Sequence, residues 1–111
     1  MTADELKAMY KSMCLMDLTI RRYNAARVAT NYDVKGHIRP YGGKELVGTI
    51  VQGDQAVIVL ADDLTAAGFA LPITTSDKSI SGGRERAILA PIGERRALDG
   101  TLVAYELQVR G

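Results

Sequence analysis

The chain has no tryptophan, one phenylalanine, one cysteine and one histidine among its 111 residues. Each scarcity removes a class of function. A lone cysteine, Cys14, closes no internal disulfide, so nothing points to an oxidising compartment. Cys14 and His37 are too few and too far apart in sequence for a metal site. No nucleophile or carboxylate motif accompanies His37, and no Gly-x-Ser-x-Gly elbow occurs, so a catalytic set is not expected. Five tyrosines and one phenylalanine are few for the stacking platforms of a single-stranded nucleic-acid binder. An excess of one charge is lacking too. Fourteen basic residues face thirteen acidic ones, a net charge of +1, unlike the strongly basic face of a dedicated nucleic-acid protein. No apolar run approaches the ~20 residues that cross a bilayer, and no leader pattern opens the chain. The expectation is a soluble protein of a reducing cytosol, with no cofactor, metal or membrane partner.

What is present is a chain that folds. Hydrophobic residues make up 47% of it, enough for one modest core, so residues 1–111 are expected to form a single domain. Thr2 followed by Glu5 is a capping box. Leu6, Met9, Tyr10 and Met13 then recur at helical spacing, which predicts a short helix over 3–16. From Leu18 the pattern turns to alternation. Strands are expected at 18–23, 32–39, 46–51, 55–61, 77–82, 84–92 and 101–110, separated by turn signals. Gly82-Gly83 is a hairpin turn that needs positive φ. Asp99-Gly100 is a second turn, and 62–71 holds one helical turn or an irregular loop. The fold class is mostly β. It is a small antiparallel β-barrel of about six or seven short strands, with a short N-terminal α-helix (3–16), a barrel over 17–111 and long mobile loops.

Candidate functional residues are sparse. Asp62-Asp63 is an adjacent carboxylate pair, better suited to capping the following turn than to holding a cation. Gly42-Gly43-Lys44 lacks the spacing and the strand-to-helix setting of a phosphate loop. Basic residues cluster at Arg21-Arg22, Lys35 with Arg39, Arg84 with Arg86, and Arg95-Arg96. Arg95-Arg96 is expected at a loop, where it could face phosphates or an acidic partner. Met9, Met13 and Met16 fall in one short segment, and methionine adapts to irregular contacts. Leu6, Met9, Tyr10 and Met13 are therefore a candidate interface helix as well as a candidate core stripe.

An ordered set of short motifs adds a resemblance. Asp17-Leu-Thr-Ile-Arg-Arg-Tyr23 follows the helix. Gly48-Thr-Ile-Val-Gln-Gly-Asp54 leads into Ala56-Val-Ile-Val-Leu60. Then come Pro72, Asp77, Ile80, Gly82-Gly83, Arg86, Ile88 and Pro91, and Tyr105-Glu-Leu-Gln-Val-Arg110 closes the series. Over roughly 17–111 this resembles the head-completion (head-closure, or stopper) neck proteins of tailed bacteriophages. The resemblance implies an open β-barrel with an N-terminal helix, made in the host bacterial cytoplasm and carried in the virion neck. It implies a ring of copies below the portal and adaptor proteins. That ring would hold genomic double-stranded DNA without sequence specificity and offer a docking surface to a tail-terminator or tail protein. It implies that loops 24–31, 39–47 and 93–100 plug the channel or touch the next ring. Arg27, Asn31, Arg39, Tyr41, Gly42, Gly43, Lys44, Arg95 and Arg96 would be their contact residues. The free chain is expected to be a monomer. Two alternatives stay open: a tail-terminator or tail-joining component, and an OB-like single-stranded nucleic-acid-binding module.

Overall fold

A computed structural model describes residues 2–41 and 53–111. Its elements are α1 (Ala3–Met13), β1 (Met16–Tyr23), β2 (Ala29–Pro40), β3 (Gln55–Leu60), α2 (Ala61–Ala66), β4 (Lys78–Ser81), β5 (Arg84–Arg96) and β6 (Leu102–Arg110). The strands form one closed antiparallel barrel in the order β1-β2-β3-β6-β5-β4. The mostly β class and the short N-terminal helix agree with the sequence. The barrel is not open as the resemblance implied, because Thr19–Arg21 of β1 pair with Lys78–Ile80 of β4. Residues 42–52 lie outside the described residues, and with them the expected strand 46–51 and Gly42, Gly43 and Lys44.

Several boundaries moved for local reasons. The Thr2 hydroxyl and the Glu5 carboxylate close the capping box. The helix stops at Met13 rather than at residue 16, because Met16 is already opposite Gly36 in the β1–β2 ladder. Two expected loops are partly strand. β2 starts at Ala29, so loop 24–31 shrinks to a turn closed by Asn24, whose side chain accepts from the amides of Ala26 and Val28. β5 runs on to Arg96, so loop 93–100 shrinks to a turn in which the Ala97 amide donates to the Thr101 carbonyl. Alternation had been broken there by Pro91 and Gly93. A register shift between Leu89 and Gly93 lets the strand resume beyond them. Gly82 and Gly83 have φ of 59° and 75°, the pair of positive values that a two-residue hairpin turn needs.

The core follows strand parity. Leu18 and Ile20 of β1, Val57 and Val59 of β3, and Tyr105, Leu107 and Val109 of β6 point inward and are buried. Gly36 shares this inward register, where an added Cβ would lie 2.8 Å from Leu18 Cδ2. The outer faces of β3 and β6 carry Leu60 and Ala104, and α1 covers them with Tyr10, Leu6 and Ala3.

Strand direction sorts the connections between two rims. The upper rim has the 24–28 turn, the crossover from β3 through α2 to β4, and the 97–101 turn. The lower rim has the start of β1, the ends of β2 and β6, the start of β3, and the Gly82-Gly83 turn.

Candidate partner-contact surfaces

Each rim is held by a buried aspartate gripped by an arginine. At the upper rim the Asp77 carboxylate is 2% exposed. Arg22 Nε donates to its Oδ1 and the Arg22 terminal nitrogen to its Oδ2, both at 2.8 Å. The Thr74 amide donates to the same Oδ2 at 2.8 Å. The Arg22 guanidinium also donates to the carbonyls of Ala70 and Pro72. It lies 4.0 Å from the centre of the Phe69 ring, and Phe69 meets Tyr32 edge-on at 5.0 Å. Hydrogen bonding to Asp77 raises the Arg22 pKa further. A fork-to-fork pair of this kind fixes geometry as well as charge, so Arg22 ties the 70–77 crossover to β1.

At the lower rim the Asp54 carboxylate is 1% exposed. Arg110 donates to both of its oxygens at 2.8 and 2.9 Å, and the Gln108 amide donates to Oδ2 at 2.8 Å. This second grip sits on the outer side of the barrel, since β6 points Leu107 and Val109 inward. Arg22 instead shares the inward register of Leu18 and Ile20. That parity was the signal in the sequence: an arginine in register with two core residues needs a buried anion.

The structure scatters the residues expected to contact partners. Arg27 tips the 24–28 turn on the upper rim with φ of 62°. Asn31 is not in a loop. It lies in β2, where its Oδ1 accepts from Arg21 Nε. Arg39 and Tyr41 are at the opposite rim, with the Arg39 guanidinium 5.6 Å from the Tyr41 ring centre. Arg95 and Arg96 belong to β5 and not to a loop tip. Arg95 pairs with Glu106, while Arg96 bonds Glu94 and the Gly100 carbonyl. Charge pairing thus absorbs the two arginines that looked best placed for phosphates. The α1 stripe divides: Leu6 and Tyr10 pack on the barrel, whereas Met9 and Met13 are 39% and 37% exposed. Leu15 and Met16 extend this exposed apolar strip at 72% and 48%.

Asp62 and Asp63 are not caps. The N-cap of α2 is Leu60, with no side-chain cap hydrogen bond, and Asp62 pairs instead with Lys7 at 3.2 Å. Among the described residues no group of three histidine, cysteine, aspartate or glutamate side chains is placed to hold a metal ion. The tyrosines do not share a platform. Tyr105 is in the core, Tyr10 packs from α1 onto the barrel, Tyr32 meets Phe69, and Tyr23 donates to Glu85. That last bond, followed by the one from Arg21, lowers the Glu85 carboxyl. Burial, then the charge of Asp63, raises the Cys14 thiol. Among the described residues no helix is long and apolar enough to cross a membrane.

No protein-family model matches the chain, and no curated protein or solved structure matches it.

Proposed function

We propose that the protein is a structural neck component of a tailed bacteriophage. Copies form a ring below the portal and adaptor proteins, keep packaged double-stranded DNA in the head, and present a surface to the tail. One observation carries this reading. The motifs that make up the resemblance meet as the two buried grips: Asp77 with Arg22 of Asp17–Tyr23, and Asp54 with Gln108 and Arg110 of Tyr105–Arg110. Separate short motifs joined pairwise by ion pairs to buried aspartates form one interdependent set, which strengthens a likeness that rests on their order. The β-barrel with an N-terminal helix supports it at the level of fold alone. The exposed strip of Met9, Met13, Leu15 and Met16 supplies a candidate contact for a neighbouring ring component.

The test is to add purified protein to DNA-filled, tail-less heads. Protein that protects the DNA from leakage and nuclease, and lets the heads accept tails, sustains the neck role. Protein that ignores heads but binds purified tails replaces it with the tail-joining role. Salt-sensitive binding to a labelled single-stranded oligonucleotide, with neither of these, moves the protein to the OB-like class.

A further inference from the structure

The barrel is closed, yet one of its strands keeps a bare edge. In the β1–β2 ladder Met16 lies opposite Gly36 and Tyr23 opposite Ala29. The Asn24 amide donates to the Val28 carbonyl, which places even-numbered residues of β2 in the hydrogen-bonded pairs with β1. The backbone groups of odd-numbered residues therefore point the other way, toward β3. There β3 reaches back only to Val59, opposite Gly36. The amides and carbonyls of Ala29, Asn31 and Asp33 face outward with no partner strand among the described residues, and all three residues are exposed. Among the described residues the only other long unmatched edge lies along β5 beyond residue 87. It is broken by Pro91, which has no amide hydrogen, and by the register shift between Leu89 and Gly93. One edge is blunted and the other is not.

A groove of about 580 Å³ runs beside the open edge. Its wall across from Val34 is formed by Ala66 and Ala67, with Asp33, Asp63 and Lys11 at its margins. Asp17 and Lys35, which also border it, neutralise each other as an ion pair. That leaves two carboxylates against one ammonium, around an apolar floor.

We propose that this edge takes an added strand. The occupant is an extended segment of another polypeptide, antiparallel to β2, with alternating apolar and basic side chains. Its main chain would bond Ala29, Asn31 and Asp33, its apolar side chains would sit on Val34, Ala66 and Ala67, and its cations would face Asp33 and Asp63. A second copy of β2 does not fit. Antiparallel self-pairing would drive the partner's 24–28 turn into the space held by β3 and α2. The edge from Ala29 to Asp33 has room for a strand of about five residues. The inference is independent of the neck reading.

The test uses the intact chain and an acetylated heptapeptide of alternating lysine and valine, followed by amide hydrogen exchange in NMR. The peptide is expected to bind saturably and to slow exchange at Asn31 and Asp33 by about tenfold or more, while Thr30 and Tyr32, already bonded to β1, change little. No binding at about millimolar peptide, or binding without slowing at Asn31 and Asp33, overturns the proposal. Asn31→Pro and Asp33→Pro each delete an amide that β1 does not use. In folded protein they are expected to weaken binding about tenfold, and unchanged affinity overturns the proposal. If neither variant folds, the exchange result on the unmodified chain decides. A valine–glutamate heptapeptide that binds equally well overturns the assignment of a basic partner.

Discussion

The two rims solve one problem with opposite geometries. Each holds the residue or segment that leads into a strand, and each uses a buried aspartate and an arginine. At the upper rim Arg22 lies in the inward register and closes the core over Phe69 while it holds the crossover carbonyls. At the lower rim Arg110 grips Asp54 from the outer surface, with its side chain 44% exposed against 29% for Arg22. An arginine that water can still reach loses less when its partner goes. The upper grip should therefore be the more costly to break, although the two carboxylates are equally buried.

The largest effect is expected from the aspartates. Asp77→Ala strands a guanidinium packed on an aromatic ring and frees the Thr74 amide, which should cost about 3–4 kcal/mol in denaturant unfolding. Asp54→Ala should cost about 2 kcal/mol, because Arg110 can turn to solvent. Equal losses would mean that the exposure of the arginine does not matter and would dissolve the contrast. Arginine-to-lysine swaps sharpen it next. Arg22→Lys keeps the charge but loses the fork, the ring contact and two carbonyl bonds, for about 2 kcal/mol. Arg110→Lys should lose about 1 kcal/mol by the same assay.

Both grips were partly open to reading from sequence, and the reasons they were missed differ. Parity along Leu18-Thr-Ile-Arg-Arg-Tyr23 puts Arg22 on the core side, but alternation alone cannot say which distant anion meets it. Asp77 is fifty-five positions away. Gly53-Asp54 is by composition a turn pair, and the burial of Asp54 depends on β6, the strand paired with β3. The strands themselves were legible wherever alternation was clean. Reading failed at Pro91 and Gly93, where a register shift carries β5 through residues that usually end a strand. It also failed at 24–31, where small polar residues prolong a hairpin whose ladder with β1 supplies the order that their propensity lacks.

Alkaline pH probes two other buried groups. Burial raises both the Cys14 thiol, which donates to the Ile58 carbonyl of β3, and the Tyr105 hydroxyl in the core. For an acid whose folded pKa lies above its unfolded value, the folded state binds the proton more tightly. Stability is then full below the unfolded pKa and falls as pH rises through the folded one. Unfolding free energy should begin to decline near about pH 9, where free cysteine ionises, and decline more steeply above about pH 10, where tyrosine does. Cys14→Ala should remove the first part of this loss and leave the second. A pH titration of the denaturation midpoint that stays flat up to about pH 10 in the unmodified protein would show that the burial of neither group is coupled to stability.

The smallest effects concern the hairpin turns, and here the rims should answer in opposite directions. The lower turn meets its positive φ values with Gly82 and Gly83, and nothing lies within 4 Å of an added Cβ at either. The cost of Gly82→Ala is therefore purely conformational, about 1 kcal/mol. The upper turn meets the same demand with a side chain, since Arg27 has φ of 62°. An L-residue there bears a strain that glycine does not, while glycine adds freedom to the unfolded chain. The first term should slightly exceed the second, so Arg27→Gly is expected to stabilise by about 0.5 kcal/mol. The asymmetry matters for function because a turn optimised only for folding would already carry glycine. If Arg27→Gly raises stability and lowers head or tail binding together, the strained arginine is kept for contact. If it raises stability and leaves binding unchanged, the upper turn is not a contact site, and partner recognition falls to the exposed strip of Met9, Met13, Leu15 and Met16.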